Sequence, residues 1–117
     1  MEIIYEVRGP VLVAELFGEM DHHASESMRR NLDSMMERSQ TSCLLMDFGR
    51  VTFMDSSGIG IVLGRFRKIS SSGGQMAVCC CSPKIQTILN MAGVFSVIYC
   101  AGTKEEGLSF LRGKEVS

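Results

Sequence analysis

Residues 43–69 have the sequence CLLMDFGRVTFMDSSGIGIVLGRFRKI, and the order of elements within this segment indicates the class of fold. The segment begins with residues 43–48, which are apolar except for Asp47 and short enough to form a largely buried strand. After a predicted loop, Gly58 begins a helical pattern whose apolar face consists of Ile59, Val62, Leu63, Phe66 and Ile69. A buried strand that leads into an amphipathic helix is typical of α/β proteins.

The same alternation continues toward the C-terminus. Residues 76–81 predict another strand, and the Ser-Pro pair at 82–83 predicts the cap and first turn of a third helix. Residues 94–100 predict the last strand. Thr103 and Glu106 form a capping box, which predicts a short final helix.

The N-terminal part of the chain predicts a hairpin. Residues Glu2–Arg8 and 11–17 are rich in β-branched and aromatic residues and flank a Gly-Pro turn at 9–10. Asp21 then stands at the N-cap position of the first helix. We therefore predict a single α/β domain over residues 1–117, with a mixed, mostly parallel sheet against which helices pack.

Composition and charge narrow the classes of function. The chain has 117 residues, 45% hydrophobic and 21% charged, as expected for one folded domain. Its net charge of -1 gives no basic face, so we predict no nucleic-acid partner. The N-terminus lacks the pattern of a secretory signal. The uncharged segment 85–103 contains polar residues and two glycines, so we interpret it as helix, turn and strand rather than a membrane span, and we expect a soluble, cytoplasmic protein.

The cysteines predict burial rather than chemistry. They number five, an odd count that leaves at least one outside any intramolecular disulfide. Residues 79–81 are consecutive cysteines, and in a regular strand their side chains would alternate between faces, so they could not all bind one metal without a bend in the backbone. We interpret them as small buried side chains in a reducing cytoplasm, and we predict neither a metal nor a cofactor.

Two segments contain the candidate functional residues, namely residues 18–23 (GEMDHH) and residues 53–60 (FMDSSGIG). Each places an Asp between a strand and a helix, at the sheet edge where parallel α/β proteins usually bind their ligands. In the second segment, Asp55 is followed by two serines and then by glycines that leave the backbone accessible. Helix capping explains such residues at least as well as a functional site does, so the pattern alone leaves both interpretations open.

Both segments resemble those of the anti-sigma factor antagonists with a STAS domain. The similarity is strongest to the sporulation stage II members, which act in the forespore sigma factor pathway. Further similar stretches are IVLGR at 61–65, GQM at 74–76 and the Ser-Pro pair at 82–83. The resemblance therefore covers nearly the whole chain, and its most specific part is MDSSG at 54–58.

The resemblance implies a regulator of transcription that is not itself an enzyme. In this family the unphosphorylated antagonist binds an anti-sigma factor, which is also a serine kinase, and so releases the sigma factor. The kinase phosphorylates the serine directly after the Asp, here Ser56, and a serine phosphatase reverses the modification. We expect Ser57 instead to cap or begin the helix. The partner-binding residues that the resemblance implies are Asp21, Asp55, Ser56, Ser57, Gly58 and Ile59.

Two alternatives use the same residues. An aspartyl-phosphate receiver would use Asp55, but it needs an acidic pair after the first strand, where this chain has RGP at 8–10, and a Lys after a late strand, where it has CAG at 100–102. A serine hydrolase would use Ser56, but Met54 occupies the position of the first Gly in the nucleophile-elbow motif. The receiver remains the main alternative, and acid-labile phosphate on Asp55 would support it.

Overall fold

Strands and helices alternate along residues 1–113, the part of the chain that the computed structural model describes. The strands are β1 (Glu2–Arg8), β2 (Val11–Met20), β3 (Cys43–Met54), β4 (Met76–Cys79) and β5 (Tyr99–Ala101). The helices are α1 (His22–Ser39), α2 (Ser56–Ser71), α3 (Pro83–Met91) and α4 (Lys104–Arg112), with a 3₁₀ turn at Val94–Ser96. The predicted domain extends to residue 117, but residues 114–117 lie outside the described residues.

The strands lie in the sheet in chain order, β1 to β5. The first pair is antiparallel, because the Gly-Pro turn at 9–10 returns the chain directly onto β1 with Arg8 opposite Val11. The later pairs are parallel, because a helix separates each strand from the next. The structure therefore confirms the predicted mixed, mostly parallel α/β fold.

Successive strand residues contribute to two hydrophobic cores, one on each face of the sheet. In β3, Leu44 and Met46 belong to the larger core, which α1, α2 and α3 cover. Cys43 and Leu45 belong to the smaller core, which α4 covers. Because side chains alternate between the faces of a strand, a strand covered on both sides is apolar at nearly every position.

Strands β2 and β3 are longer than the sequence predicted. β2 continues past residue 17 to Met20, and β3 continues past residue 48 to Met54. The pairing of β3 with β4 ends at Asp47, so the second half of β3 pairs with β2 alone and exposes polar residues that resemble a loop. The predicted loop before the second helix is therefore wrong, and α2 begins at Ser56 rather than at Gly58.

Two other predicted strands are shorter in the structure. The strand predicted at 76–81 ends at Cys79, because Cys80 adopts a left-handed backbone conformation with φ of 63°. In the segment 94–100, the 3₁₀ turn comes first, and pairing with β4 begins only at Tyr99. Val94 and Ile98 are buried, whereas Val97 is 53% exposed, so only the last residues of the predicted strand form one.

Helices α1, α3 and α4 begin at caps that the sequence predicted. The Asp21 carboxylate accepts a hydrogen bond from Ala24 N–H at 3.0 Å. The Ser82 hydroxyl accepts one from Ile85 N–H at 3.3 Å, and Thr103 caps α4 in the same way. Within residues 1–113, none of the helices is both long and apolar enough to cross a membrane.

Candidate functional site

The candidate site lies where β2 and β3 end side by side. These parallel strands pair as far as Met20 opposite Met54, so the next residues, Asp21 and Asp55, emerge at the same edge of the sheet. The Asp55 N–H donates a hydrogen bond to the carbonyl oxygen of Met20 at 3.4 Å. The two segments singled out in the sequence therefore lie together in the structure.

Asp55 connects the two segments through its side chain. Its Oδ1 accepts hydrogen bonds from the N–H groups of Ser57 at 2.9 Å and Gly58 at 3.4 Å, which caps α2. Its Oδ2 accepts a hydrogen bond from His22 N–H at 3.2 Å, in the first turn of α1. The expectation that Ser57 caps or begins this helix is wrong, because Asp55 caps it and Ser56 begins it.

Asp21 has a less constrained carboxylate. Its Oδ1 caps α1, whereas its second oxygen accepts no hydrogen bond from any residue between 1 and 113. The side chain is half-buried and forms no ion pair within the same residues. Asp21 therefore keeps one carboxylate oxygen available to a partner.

The two serines differ in accessibility. Ser56 is exposed, and its hydroxyl forms no hydrogen bond in the part of the chain that the structure describes. Ser57 is half-buried, and its N–H is bound to the Asp55 carboxylate. A partner that approaches the start of α2 can therefore reach the Ser56 hydroxyl more easily.

Gly58 permits close packing between α2 and the ends of both strands. A Cβ atom at this position would lie 2.8 Å from the carbonyl oxygen of Met20 and 2.8 Å from Cγ of Met54. Gly60 has no such constraint, since nothing lies within 4 Å of a Cβ placed there. Because Gly58 has no Cβ atom, the start of α2 can pack directly against the ends of the two strands.

The predicted set of partner-binding residues omits two residues of these segments, Phe53 and His22. Phe53 is 41% exposed and lies two residues before Asp55. Ile59, in the first turns of α2, is half-buried. His22 contributes its backbone N–H. Period-2 alternation does not identify Phe53, because Thr52 and Phe53 are both exposed between the buried Val51 and Met54. No sequence signal identifies the contact made by His22 either.

The geometry disfavours both alternatives, the aspartyl-phosphate receiver and the serine hydrolase. Both oxygens of Asp55 accept backbone hydrogen bonds, as in a structural cap, rather than facing a metal and a phosphoryl group. The rings of His22 and His23 are exposed and contact each other edge to face, with centroids 6.0 Å apart. Neither ring forms a hydrogen bond with Ser56 among residues 1–113, so the hydroxyl has no general base there. The cluster with metal-ligand character in those residues lies elsewhere, at Asp47, Cys79 and Cys80.

Comparison with known proteins defines the family. The STAS domain matches residues 2–107, so the chain belongs to the STAS-domain family. Over 98 residues it is 38% identical to the anti-sigma F factor antagonist of Paenibacillus polymyxa, covering 84% of each protein. The chain thus belongs to the anti-sigma factor antagonists within that family, which confirms the resemblance seen in the sequence.

Two solved structures extend this comparison. The anti-sigma factor antagonist SpoIIAA in its unphosphorylated form aligns with a TM-score of 0.82 and 31% identity, over 96% of this chain and 97% of that one. The Bacillus cell fate determinant SpoIIAA in the phosphorylated form aligns with a TM-score of 0.74 and 31% identity, over 95% of this chain and 100% of that one. Both forms therefore share the fold of this chain.

Proposed function

We propose that this chain is a phosphorylation-controlled anti-sigma factor antagonist of the sporulation pathway. Its unphosphorylated form binds an anti-sigma factor that is also a serine kinase, and this binding releases the sigma factor. Phosphorylation of Ser56 ends the interaction, and a serine phosphatase restores it. The chain itself catalyses no step and acts in the cytoplasm with these partners.

The observation that supports this proposal best is the position of Ser56. Its exposed hydroxyl begins α2 at the point where the Asp55 carboxylate joins the two segments. Asp21 presents its available carboxylate oxygen at the same edge of the sheet. The proposed partner-binding surface consists of Asp21, Asp55, Ser56, Ser57, Gly58 and Ile59, with the exposed Phe53 beside it.

The fold should tolerate a phosphate at this position. The N–H groups of Ser57 and Gly58 already donate to Asp55, so a phosphate on Ser56 would lie outside the cap, facing solvent. It would remain near the positive end of the α2 dipole, which favours an anion. The similarity of this chain to both forms of SpoIIAA supports a switch without remodelling of the fold.

The interface should not tolerate the same phosphate. Phosphoserine adds about -1.5 to -2 charges at pH 7. Here that charge would stand beside the Asp55 carboxylate and close to Asp21, neither of which forms an ion pair within residues 1–113. A partner must then desolvate three neighbouring anionic groups, and unfavourable charge juxtaposition in an interface typically costs several kcal/mol.

Phosphopeptide mapping tests the assignment. The protein is incubated with the sporulation anti-sigma factor kinase and ATP, its intact mass is measured, and the modified residue is located. We expect one phosphate on Ser56, none in Ser56→Ala, and full incorporation in the matched control Ser57→Ala. Undiminished labelling of Ser56→Ala would contradict the proposal, and acid-labile phosphate on Asp55 would favour the receiver alternative.

A further inference from the structure

A second cluster of reactive side chains lies on the α4 face of the sheet. Asp47 in β3 and Cys79 in β4 are register partners on adjacent parallel strands. Cys79 belongs to the smaller core, against which Cys80 also packs. The cluster shares no residue with the Ser56 site, and the proposed function makes no use of it.

A bend at Cys80 brings its thiol to this cluster. In a regular strand, the side chains of Cys79 and Cys80 would point to opposite faces. Cys80 instead has φ of 63°, a left-handed conformation that few residues other than glycine, Asn and Asp adopt. As a result, the two Sγ atoms and a carboxylate oxygen of Asp47 all lie within 4.8 Å of one another. This bend is the departure from a regular strand that the sequence analysis required before these cysteines could share a metal.

A backbone N–H group supports the Asp47 side chain from outside the cluster. Gly49 N–H donates a hydrogen bond to Asp47 Oδ1 at 2.9 Å. Donors of this kind orient the ligands of metal sites and stabilise their anionic forms.

The cluster has the charge requirement of a cation site. Asp47 is 8% exposed, and although its Oδ1 accepts the Gly49 N–H, it forms no ion pair within residues 1–113. A bound cation would add the opposite charge that this buried carboxylate lacks. Burial also raises the pKa of the Cys79 thiol. A divalent cation that binds here displaces the protons of the two thiols.

We propose that Asp47, Cys79 and Cys80 bind one thiophilic divalent cation of the zinc type. Two thiolates and one carboxylate give three ligands, and water occupies the fourth position on the partly exposed side at Cys80. Binding converts two thiols to thiolates and releases two protons to solvent, while the metal keeps its oxidation state. Zinc–sulfur distances of about 2.3 Å and zinc–oxygen distances of about 2.0–2.2 Å require only a small contraction of the cluster.

Cobalt(II) is the probe that tests this site. The reduced protein is titrated with Co²⁺ without oxygen, and we expect a sulfur-to-cobalt charge-transfer band that saturates at one equivalent and disappears when Zn²⁺ is added. We expect Cys80→Ser and Asp47→Asn to weaken binding by at least about tenfold, the lower limit seen even for outer-shell partners. Apparent affinity should rise with pH because two protons are released.

Cys43→Ser is the matched control. Cys43 is buried on the same face of the sheet but lies outside the cluster, so its variant should bind Co²⁺ like the wild type. Circular dichroism verifies that each variant is folded, and Cys80→Ser is the main test because its side chain is only partly buried. The proposal fails if the wild type gives no charge-transfer band at millimolar Co²⁺, if the band persists in Cys80→Ser at wild-type affinity, or if Cys43→Ser loses it.

Discussion

An aspartate caps each of the helices α1 and α2, but the further contacts that fix the two helix starts differ. Both begin after an aspartate whose carboxylate accepts a backbone hydrogen bond in the first turn. Asp55 also accepts a hydrogen bond from His22 on the other segment, and Gly58 packs α2 tightly onto Met20. Among residues 1–113, the Asp21 carboxylate accepts a hydrogen bond only from its own helix. Asp55 therefore links the two helix starts, whereas Asp21 keeps one oxygen free of hydrogen bonds from residues 1–113.

The largest expected effect comes from adding charge at the start of α2. We expect the Ser56-phosphorylated protein to bind the kinase on the order of a hundredfold more weakly than the unmodified protein, because of like-charge juxtaposition. Isothermal titration of both forms against the kinase measures the difference. Unchanged affinity, or a large change in the backbone upon phosphorylation, would refute the charge mechanism.

The next effect tests how tightly α2 is packed. Gly58→Ala should lower the free energy of unfolding by about 1–3 kcal/mol, because the added Cβ would lie 2.8 Å from the carbonyl oxygen of Met20. Urea unfolding measures this. The matched control is Gly60→Ala, which should stabilise the exposed helix position by up to about 1 kcal/mol. If both variants behave alike, the close approach of α2 to the strands has no energetic importance.

Removal of each capping carboxylate compares the two helix starts directly. Asp55→Ala should cost about 2 kcal/mol of unfolding free energy, the upper end for a lost cap, since the link to His22 is lost as well. Asp55→Asn, which keeps a capping oxygen, should cost less. Equal costs for Asp55→Ala and Asp21→Ala in urea unfolding would show that the link between the segments adds nothing.

The smallest effect on stability is expected at Asp21. Asp21→Ala should cost about 0.5–1 kcal/mol as an ordinary cap. We expect kinase affinity to fall by about tenfold, or roughly 1.4 kcal/mol, because the carboxylate oxygen available for the partner is lost. Isothermal titration provides the affinity, and a variant that binds like the wild type would remove Asp21 from the interface.

Local signals predicted the helix starts well. Asp21, Ser82 and Thr103 cap their helices as the sequence indicated, because a cap depends on residues only a few positions away. The extent of β3 was not predictable in this way. Its second half is stabilised by pairing with β2, more than thirty positions away in the chain, and it exposes polar residues such as Arg50.

The candidate site was predicted in its residues but not in its bonding. The sequence placed Asp21 and Asp55 at one edge of the sheet, because both follow parallel strands. It favoured Ser57 over Asp55 as the cap of α2, whereas Asp55 is the cap, because either residue type can cap and the choice depends on side-chain geometry. The bend at Cys80 was likewise invisible, because cysteine has no preference for that conformation.

The close contact of Gly58 with the strand ends has a consequence for timing. If the segment bearing Ser56 had to refold after phosphorylation, the time needed for refolding would delay each response. In the proposed switch, the helix start bearing Ser56 is held against Met20 and Met54 before and after modification, so no slow rearrangement follows the chemistry. The delay between stimulus and response is then determined by turnover of the kinase and phosphatase and by dissociation of the complex.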